Sequence, residues 1–344
     1  MVLLLAFAAV PAAFAVPVDG LYSAEVPVDP ADPESRNTAY ERALAQVLVR
    51  VTGSEDAAFS PELAGMFPNP ARFVLQYRPG ADNTLWVSFD GQALEQVLKQ
   101  RGWPVWGNER PLTVVWLAVD WGQGDRELIG AAPAETVTGL DPRAVRRDDL
   151  RRRIERVAQA RGLPIAFPDA ALLADASVVD AWGGFHDSIR EASRTLGATS
   201  VLVGRLRPTV AERNRWAYYF GADERQWSGD PEDALHLLAD TLAARFAFAG
   251  NAPVQTVALS VSNLRSVRDY AAVQQAVGGL QLVESVRIDL VEGDRVRYLV
   301  RVNGGGERLA AALDATGTLE RRFAEPGEID PAAGAPGLSY AYRP

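Results

Sequence analysis

Cysteine is missing from the 344-residue chain altogether. Its absence excludes disulfide bonds, thiolate nucleophiles, zinc–cysteine sites and iron–sulfur clusters, and it leaves no residue for a lipid anchor on an amino-terminal cysteine. Histidine is almost as rare: His186 and His236 are the two in the sequence, and they fall in different predicted elements. They match no metal-ligand spacing, and no G-x-S-x-G motif accompanies them. We therefore predict no cofactor, no metal site and no catalytic residues.

Positive charge is also in short supply. The chain carries 35 basic and 44 acidic residues, for a net charge of -9, and Lys99 is its single lysine. Nucleic-acid-binding domains usually present a basic field, and anionic membrane surfaces attract basic segments. The composition therefore predicts no nucleic-acid partner. No apolar run of the mature chain approaches the roughly 20 residues that a transmembrane helix needs, so we predict no transmembrane segment.

The amino-terminal segment reads as a targeting signal. Residues Val2 to Val10 are all Val, Leu, Ala or Phe, and Ala13-Phe14-Ala15 follows as an A-x-A site. An apolar core of about ten residues before such a site is typical of a secretory signal peptide. No basic residue precedes the core, which a start codon placed too far downstream would explain; a buried amino-terminal helix is the alternative. We predict cleavage after Ala15 and a periplasmic mature protein.

The rest of the chain divides into three predicted units, in line with a prior of about 150 residues per domain. The predicted division is a signal peptide at 1–15, an amino-terminal domain at 16–108, a middle α/β domain at 109–250, a carboxy-terminal domain at 251–322 and a flexible tail at 323–344. The first and third units have the predicted order β-α-β-β-α, and the middle unit is a mixed α/β layer. The predicted fold class is α+β, built from small α/β-sandwich-like units.

The first and third units also share a sequence pattern. Residues 85–91, LWVSFDG, parallel residues 298–304, YLVRVNG, and each segment leads into a helix with an inward leucine, Leu94 or Leu309. Two interpretations are open: the units are repeats of one ancestral domain, or they share a common layout by chance.

One candidate binding edge lies in the middle unit. Residues 113–119, TVVWLAV, predict a strand covered on both faces, and Asp120 and Trp121 follow at its carboxyl end. Open α/β sheets bind ligands at that edge, and the two glycines of the following GQG could cradle an anion. The alternative is a polar turn with carboxylates at a strand end. Arg205 follows the next buried strand, at 199–204, and is a candidate for the same site.

An aromatic segment, WGGF at 182–185, is predicted to be a flexible loop before a helix. Large aromatic side chains anchor either cores or interfaces. The candidate interaction or ligand site therefore comprises Asp120, Trp121, Trp182, Phe185 and Arg205.

Arginines cluster on the helix predicted between Arg146 and Arg161. The cluster consists of Arg146, Arg147, Arg151, Arg152, Arg153 and Arg156. Acidic residues are interspersed among them and can pair at helical spacing. Three interpretations are open: a solvated helix face, a docking site for an acidic partner or anionic glycan, and nucleic-acid binding, which the predicted export disfavours.

Two early stretches, LYSAEVPV at 21–28 and ALAQVLVRVTG at 43–53, resemble the opening of a family of exported proteobacterial proteins, domain of unknown function two thousand and sixty-six. Residues 111–120 and 196–205 fit that family as well, so the resemblance covers most of the mature chain. It implies no activity, cofactor or catalytic residue. In layout, the middle unit is similar to envelope accessory domains that serve protein contacts, such as the amino-terminal domain of the translocation protein TolB and the activator lipoproteins of penicillin-binding proteins.

The sequence thus favours a non-catalytic periplasmic protein that mediates protein–protein contacts in an envelope assembly, with an unknown envelope protein as its partner. The alternative is a periplasmic protein that binds a small ligand or a glycan. A hydrolase with paired carboxylates is a third hypothesis, because Asp and Glu are plentiful, but no spacing singles out a pair.

Overall fold

The computed structural model describes residues 15–29, 34–132, 141–208, 210, 213–221, 223–249, 254–280, 282–316, 318–322 and 337–343. Helices alternate with strands that form three sheets and two short ladders, which confirms the predicted α+β class. The predicted signal peptide lies outside the described residues, except for Ala15. Within the described ranges, no helix combines the length and the apolar character needed to cross a membrane.

The first unit packs helices against one face of a three-stranded antiparallel sheet. Its elements are β1 (Ala15–Pro17), β2 (Ser23–Pro27), α1 (Ser35–Thr52), α2 (Pro61–Met66), β3 (Val74–Pro79), β4 (Thr84–Phe89) and α3 (Gly91–Gln100). The strand order is β2-β4-β3. Leu85, Val87 and Phe89 enter the core together, because alternate side chains of a strand share a face. Helix α1 ends at Gly53, whose left-handed φ of 74° directs its N–H to the Val49 carbonyl.

The middle unit is a mixed sheet between two helical layers. With the strands of the joint before it, its elements are β5 (Pro104–Val105), β6 (Glu109–Pro111), β7 (Thr113–Asp120), β8 (Arg126–Ile129), α4 (Pro142–Arg161), β9 (Ile165–Ala166), α5 (Ala170–Asp175), α6 (Val178–Gly183), α7 (Asp187–Arg194), β10 (Ser200–Leu206), β11 (Arg215–Phe220), β12 (Asp223–Trp227) and α8 (Pro231–Phe246). The strand order is β12-β11-β10-β7-β8, with β9 beside β7. Since β7 and β10 run parallel, their carboxyl ends meet at one edge.

This sheet is buried on both faces because alternate residues of β7 enter different cores. Val115, Leu117 and Val119 pack with α4 and α8, whereas Val114 and Trp116 pack with α6 and α7. The unbroken apolar run of β7 predicts this arrangement.

The third unit repeats the layout of the first and extends it. Its elements, with the joint strand before it, are β13 (Phe248–Ala249), β14 (Val254–Ser262), α9 (Val267–Gly278), β15 (Val283–Glu292), β16 (Arg295–Asn303), α10 (Gly306–Thr316), β17 (Leu319–Arg322) and β18 (Gly337–Tyr342). The strand order is β15-β16-β14-β18-β17. Helix α9 begins with a capping box formed by Ser266 and Asp269, as their spacing predicts. The predicted β-α-β-β-α order is present in both outer units, with the short α2 inserted after α1 in the first unit and β17 and β18 added at the end of the third.

The carboxy-terminal segment departs from the predicted organisation. Residues 337–342 form β18, which pairs in parallel with β14 and in antiparallel with β17. Tyr340 is 1% exposed, and its hydroxyl donates to the Asp314 carboxylate at 2.8 Å. The prediction of a flexible tail over 323–344 is therefore wrong for this segment, because its tyrosines supply enough buried contact to fix a strand. Residues 323–336 lie outside the described residues.

Two buried arginines join the first unit to the middle unit. The Arg110 guanidinium donates to five backbone carbonyls at 2.6–3.2 Å, those of Arg50, Trp106, Gly107, Arg161 and Gly162. The carboxyl ends of α1 and α4 thus offset the buried charge, since helix carboxyl ends are partly negative. Burial lowers the pKa of Arg110 to about 9, which leaves it charged at neutral pH. Arg161 adds hydrogen bonds to the Gly53 carbonyl at 2.8 Å and to Asp240 at 2.5 Å.

The third unit meets the middle unit through longer polar contacts. Arg308 Nη1 lies 3.4 Å from the Ala247 carbonyl oxygen, and Arg245 Nη2 lies 3.8 Å from Asp314 Oδ2. A cleft of about 390 Å³ lies between β12, α8 and α10. The described contacts of the third unit with the middle unit therefore leave an open cleft between these two units. The junction of the first and middle units at Arg110 is instead buried.

Candidate functional site

Asp120 closes the hairpin between β7 and β8. Its Oδ1 accepts from the Gly122 N–H at 3.0 Å and its Oδ2 accepts from Arg126 Nε at 3.3 Å. The Gly122 hydrogen bond, with a smaller effect from Arg126, holds the pKa of Asp120 below its ordinary value. Gly122, Gln123 and Gly124 all have positive φ, at 112°, 55° and 80°. The glycines therefore serve the turn, and the geometry favours a polar turn over an anion cradle.

Trp182 lies in the last turn of α6, where the sequence predicts a loop. Ser177 caps this helix by accepting from the N–H groups of Val179 and Asp180, at 3.1 and 3.3 Å, and Gly184 ends it with a φ of 88°. Periodicity arguments miss a six-residue helix because it completes fewer than two turns. Helix α6 contacts β7, β8 and β10. Trp182 packs, partly buried, against the core on that face of the sheet, near the edge where β10 ends.

Three arginines converge on Trp182 at this edge. The Arg205 guanidinium donates to the Trp182 carbonyl at 3.1 Å. The guanidinium carbons of Arg126 and Arg207 lie 4.5 and 4.7 Å from the centroid of the indole, a geometry that stabilises by about 0.5–2 kcal/mol per contact. Arg126 also pairs with Asp120. We call Asp120, Arg126, Trp182, Arg205 and Arg207 the arginine–tryptophan edge.

The structure thus brings together Asp120, Trp182 and Arg205, three of the five predicted site residues. Sequence reasoning misses Arg126 and Arg207, the two residues that stack on the indole. Arg126 is placed by its pairing with Asp120 across the hairpin, and Arg207 directly follows β10. Neither position can be recognised until the order and register of the strands are known.

The other two predicted site residues do not join the edge. Trp121 packs against the core beneath α4 and α8, where its Nε1 donates to Glu127 at 2.5 Å. Trp121 and Asp120 therefore serve opposite faces of the sheet, as neighbours along a strand do. Phe185 follows α6 and is 69% exposed, and Val179 of α6 is exposed to the same extent. Trp121 cannot contribute to a site at Trp182, whereas Phe185 lies three residues from it.

Much of the arginine cluster on α4 is engaged within the chain. Arg147 binds Glu127 through two hydrogen bonds, at 3.0 and 2.8 Å, and Arg153 binds Glu232 in the same way at 2.5 and 2.7 Å. The Arg153 hydrogen bond holds the pKa of Glu232 below its ordinary value. Arg151 is buried and donates to a backbone carbonyl. These pairs attach α4 to β8 and α8, which disfavours a free basic docking face.

The histidines offer no reactive arrangement. His186 is buried, and because the Ala181 carbonyl can only accept, the Nε2 proton is assigned towards it, at 3.2 Å. Nδ1 then accepts from the Tyr219 hydroxyl at 2.7 Å. Burial lowers the pKa of His186. His236 lies beside Glu55, at 3.1 Å. The part of the chain that the structure describes contains no group of three or more potential metal ligands.

Comparison with known proteins reaches the first unit alone. Residues 15–107 match the model of a domain of unknown function, DUF8605. No curated protein matches the chain. The matched segment begins at β1 and ends one residue before the predicted boundary at 108, although the division of the chain stays a prediction.

The predicted resemblance to domain of unknown function two thousand and sixty-six is wrong, because the family that matches is a different one. The likeness of the middle unit to the TolB amino-terminal domain finds no matching family either. The first resemblance depends on caps, strand cores and glycine stops, and the second on a layout of elements with one short motif. Unrelated α+β proteins share such features. What the comparisons show is that the first unit is similar to DUF8605, a domain of unknown function.

Proposed function

We propose that this chain is an exported, non-catalytic protein of the bacterial cell envelope that binds a protein partner through the arginine–tryptophan edge. The observation that carries this proposal is the convergence of three guanidinium groups on one tryptophan in a chain of net charge -9. Because the chain as a whole is acidic, a cluster of positively charged groups on it differs in charge from the average of the chain.

The charge of the edge defines the partner as acidic. Asp120 pairs with Arg126, but Arg205 and Arg207 have no carboxylate partner among the described residues, and both direct N–H groups to backbone carbonyls. Both arginines are half-buried, and cations of this kind at a protein surface steer an acidic partner to its docking site and fix its register. Arg and Trp are also the residues most enriched at the energetic centres of interfaces.

The proposed apolar anchor for the partner consists of two exposed side chains close to Trp182 in the sequence. Phe185 and Val179 are each 69% exposed and flank Trp182 in sequence. The expected partner segment is therefore acidic and carries at least one large apolar side chain. A sugar ring would have to displace a guanidinium group to stack on the indole, which favours a protein over a glycan at this edge.

Export is the second part of the proposal, and it rests on the apolar core and A-x-A site of residues 2–15. Cleavage after Ala15 would leave Val16 and Pro17 paired with Arg110 and Glu109 in the ladder between β1 and β6. The mature amino terminus would then remain attached to the fold.

Photo-crosslinking in the producing bacterium tests the proposal. A photoreactive residue replaces Phe185, and the same residue at Val267, which is 86% exposed in the third unit, is the matched control. We expect position 185, and not 267, to give a crosslink that mass spectrometry maps to an acidic segment of one envelope protein. Arg207→Glu should reduce that crosslink by about tenfold or more. Amino-terminal sequencing of the same preparation should begin at Val16.

Recovery of uncrosslinked chain alone, or equal yields from positions 185 and 267, would contradict the docking surface. A crosslink that is indifferent to Arg207→Glu would contradict the acidic partner. A mature product that retains Met1 would contradict export.

A further inference from the structure

Two strands at sheet ends have exposed apolar side chains. Strand β3 ends the sheet of the first unit and β15 ends the sheet of the third. Of the strands at the ends of the three described sheets, β3 and β15 alone carry exposed large apolar residues, and these are Leu75, Tyr77, Ile288, Leu290 and Val291. The outer side of such a strand can bind a further strand through its main chain. We propose that β3 of one chain pairs with β15 of a second copy.

The β3 edge is apolar and basic. Leu75 is 66% exposed and Tyr77 is 50% exposed. A groove of about 500 Å³ lies beside them, and its lining includes Arg78 and Trp86. The Arg78 guanidinium carbon lies 4.6 Å from the centroid of the Trp86 indole, and Arg78 has no carboxylate partner among the described residues. Since residues 72–79 contain no Asp or Glu, this edge favours an acidic strand.

The β15 edge is apolar and acidic. Ile288 and Val291 lie opposite Tyr298 and Val296 of β16, which are fully buried in the core. Ile288 and Val291 therefore face the core side of the sheet, yet they are 51% and 52% exposed. Residues 283–292 carry three acidic residues and one arginine. An apolar and basic strand would cover the side chains and balance the charge.

Charge favours the pairing of unlike strands. Two β3 strands would bring arginines together and two β15 strands would bring carboxylates together, and like charges opposite each other destabilise a sheet. Bulges interrupt both strands, and bulges and charges limit indiscriminate pairing of sheet edges. A β3 strand and a β15 strand avoid the charge repulsion, and a second copy of the chain supplies each with its complement.

The two edges can pair with their helices on one side. Each strand ends a sheet of the same layout, β2-β4-β3 or β14-β16-β15, so an antiparallel pair about an approximate two-fold axis keeps both helical layers on one face. Tyr77 lies opposite Val87 and so faces the core side, where it can oppose Val291. In that register Arg78 and Glu292 are diagonal neighbours on the other face, within reach of long side chains.

Pairing of unlike surfaces leaves one β3 and one β15 free at the ends of every assembly. The contact therefore generates a ring if it closes and a filament if it does not. Neither strand contributes to the arginine–tryptophan edge, so either proposal can fail alone.

Engineered thiols test the pairing directly, because the chain has no cysteine of its own. Complete mature chains with Tyr77→Cys alone and with Val291→Cys alone are mixed and treated with a short bis-maleimide. We expect a covalent dimer from the mixture and monomer from each variant by itself. The matched control replaces Tyr77→Cys with Phe59→Cys, since Phe59 is 83% exposed in the first unit and lies outside β3. Its mixture with Val291→Cys should stay monomeric.

Sedimentation of the mature chain without added cysteines measures the assembly. We expect the mean mass to rise with protein concentration and to fall with added salt, which screens surface charges. Arg78→Glu should weaken association by about tenfold, and Glu292→Arg added to the same chain should restore it. Arg101→Glu is the control, because it makes the same charge change at an exposed arginine after α3, and it should associate as the wild-type chain does.

A chain that stays monomeric as its concentration rises would overturn the proposal. So would equal dimer yields from the Tyr77→Cys and Phe59→Cys mixtures, or failure of Glu292→Arg to restore association in Arg78→Glu. A dimer formed by either cysteine variant alone would show pairing of like strands and would overturn it as well.

Discussion

The first and third units can be compared strand by strand. In both, the strand that comes third in sequence lies between the other two: β4 lies between β2 and β3, and β16 between β14 and β15. A β-bulge interrupts both hairpins at the corresponding place, between Val74 and Gln76 and between Val283 and Ser285. Bulges are retained within protein families, so their coincidence favours the repeat interpretation over chance.

The cores of the two units correspond as well. The inward residues of β4 match those of β16 in order, and the pairs are Leu85 with Tyr298, Val87 with Val300 and Phe89 with Val302. The helices that follow bury Leu94 and Leu98 in one unit and Leu309 and Leu313 in the other. A similar sheet and helix thus use similar packing positions, although the family model matches the first unit alone.

The two units differ in how they are held. The first unit is fixed to the middle unit by Arg110, which is fully buried and bonded to five carbonyls. The third unit instead extends its sheet with β17 and β18 and leaves a cleft beside the middle unit. One architecture thus serves as a clamped element at one end of the chain and borders an open cleft at the other.

Arg110→Met should have the largest effect, because it removes the guanidinium and leaves buried carbonyls without donors. We expect a loss of about 4 kcal/mol in the free energy of unfolding, measured by urea denaturation with tryptophan fluorescence. The control is Arg308→Met, which removes a long contact of the third unit and should cost less than about 1 kcal/mol. Equal losses in the two variants would abolish the distinction between a clamped and a loosely held unit.

Leu94→Ala and Leu309→Ala test the correspondence of the cores. Both leucines are fully buried, and each substitution should cost about 3 kcal/mol through lost burial and a residual cavity. Hydrogen exchange followed by mass spectrometry should show the loss of protection in the substituted unit. If Leu94→Ala is costly and Leu309→Ala is tolerated, the two helices do not occupy equivalent positions.

A smaller effect is expected in the pH dependence of stability, and it arises in the middle unit, which contains the buried His186. The pKa of His186 is lowered by burial, so the unfolded chain takes up this proton first as the pH falls. Stability should therefore be full above the ordinary imidazole pKa of about 6.5 and decrease between that value and the lower folded-state pKa. Urea midpoints at about pH 8 and about pH 5.5 measure the decrease.

His186→Gln should lower the urea midpoint at the higher pH and remove this pH dependence, since glutamine does not titrate. His236→Gln is the matched control and should keep the dependence of the wild-type chain. The same slope in His186→Gln and the wild-type chain would show that another group causes it.

Local features of the fold could be predicted from the sequence because they depend on neighbouring residues. Gly53 and Gly162 end helices through left-handed backbone conformations that glycine adopts without strain. The capping box of Ser266 and Asp269 satisfies N–H groups within one turn. The alternation in LWVSFDG and YLVRVNG set which side chains of β4 and β16 face the cores.

Only the tertiary structure decided which distant segments meet. No local pattern states that β18 pairs with β14, or that Arg126 and Arg207 lie over the indole of Trp182. These contacts depend on strand order and register, which are settled by the packing of the whole sheet. The sequence by itself therefore determined many helix ends and the inward faces of strands such as β4 and β16, because these depend on neighbouring residues. The assembly of the whole fold decided α6 and β18 and created the arginine–tryptophan edge and the cleft.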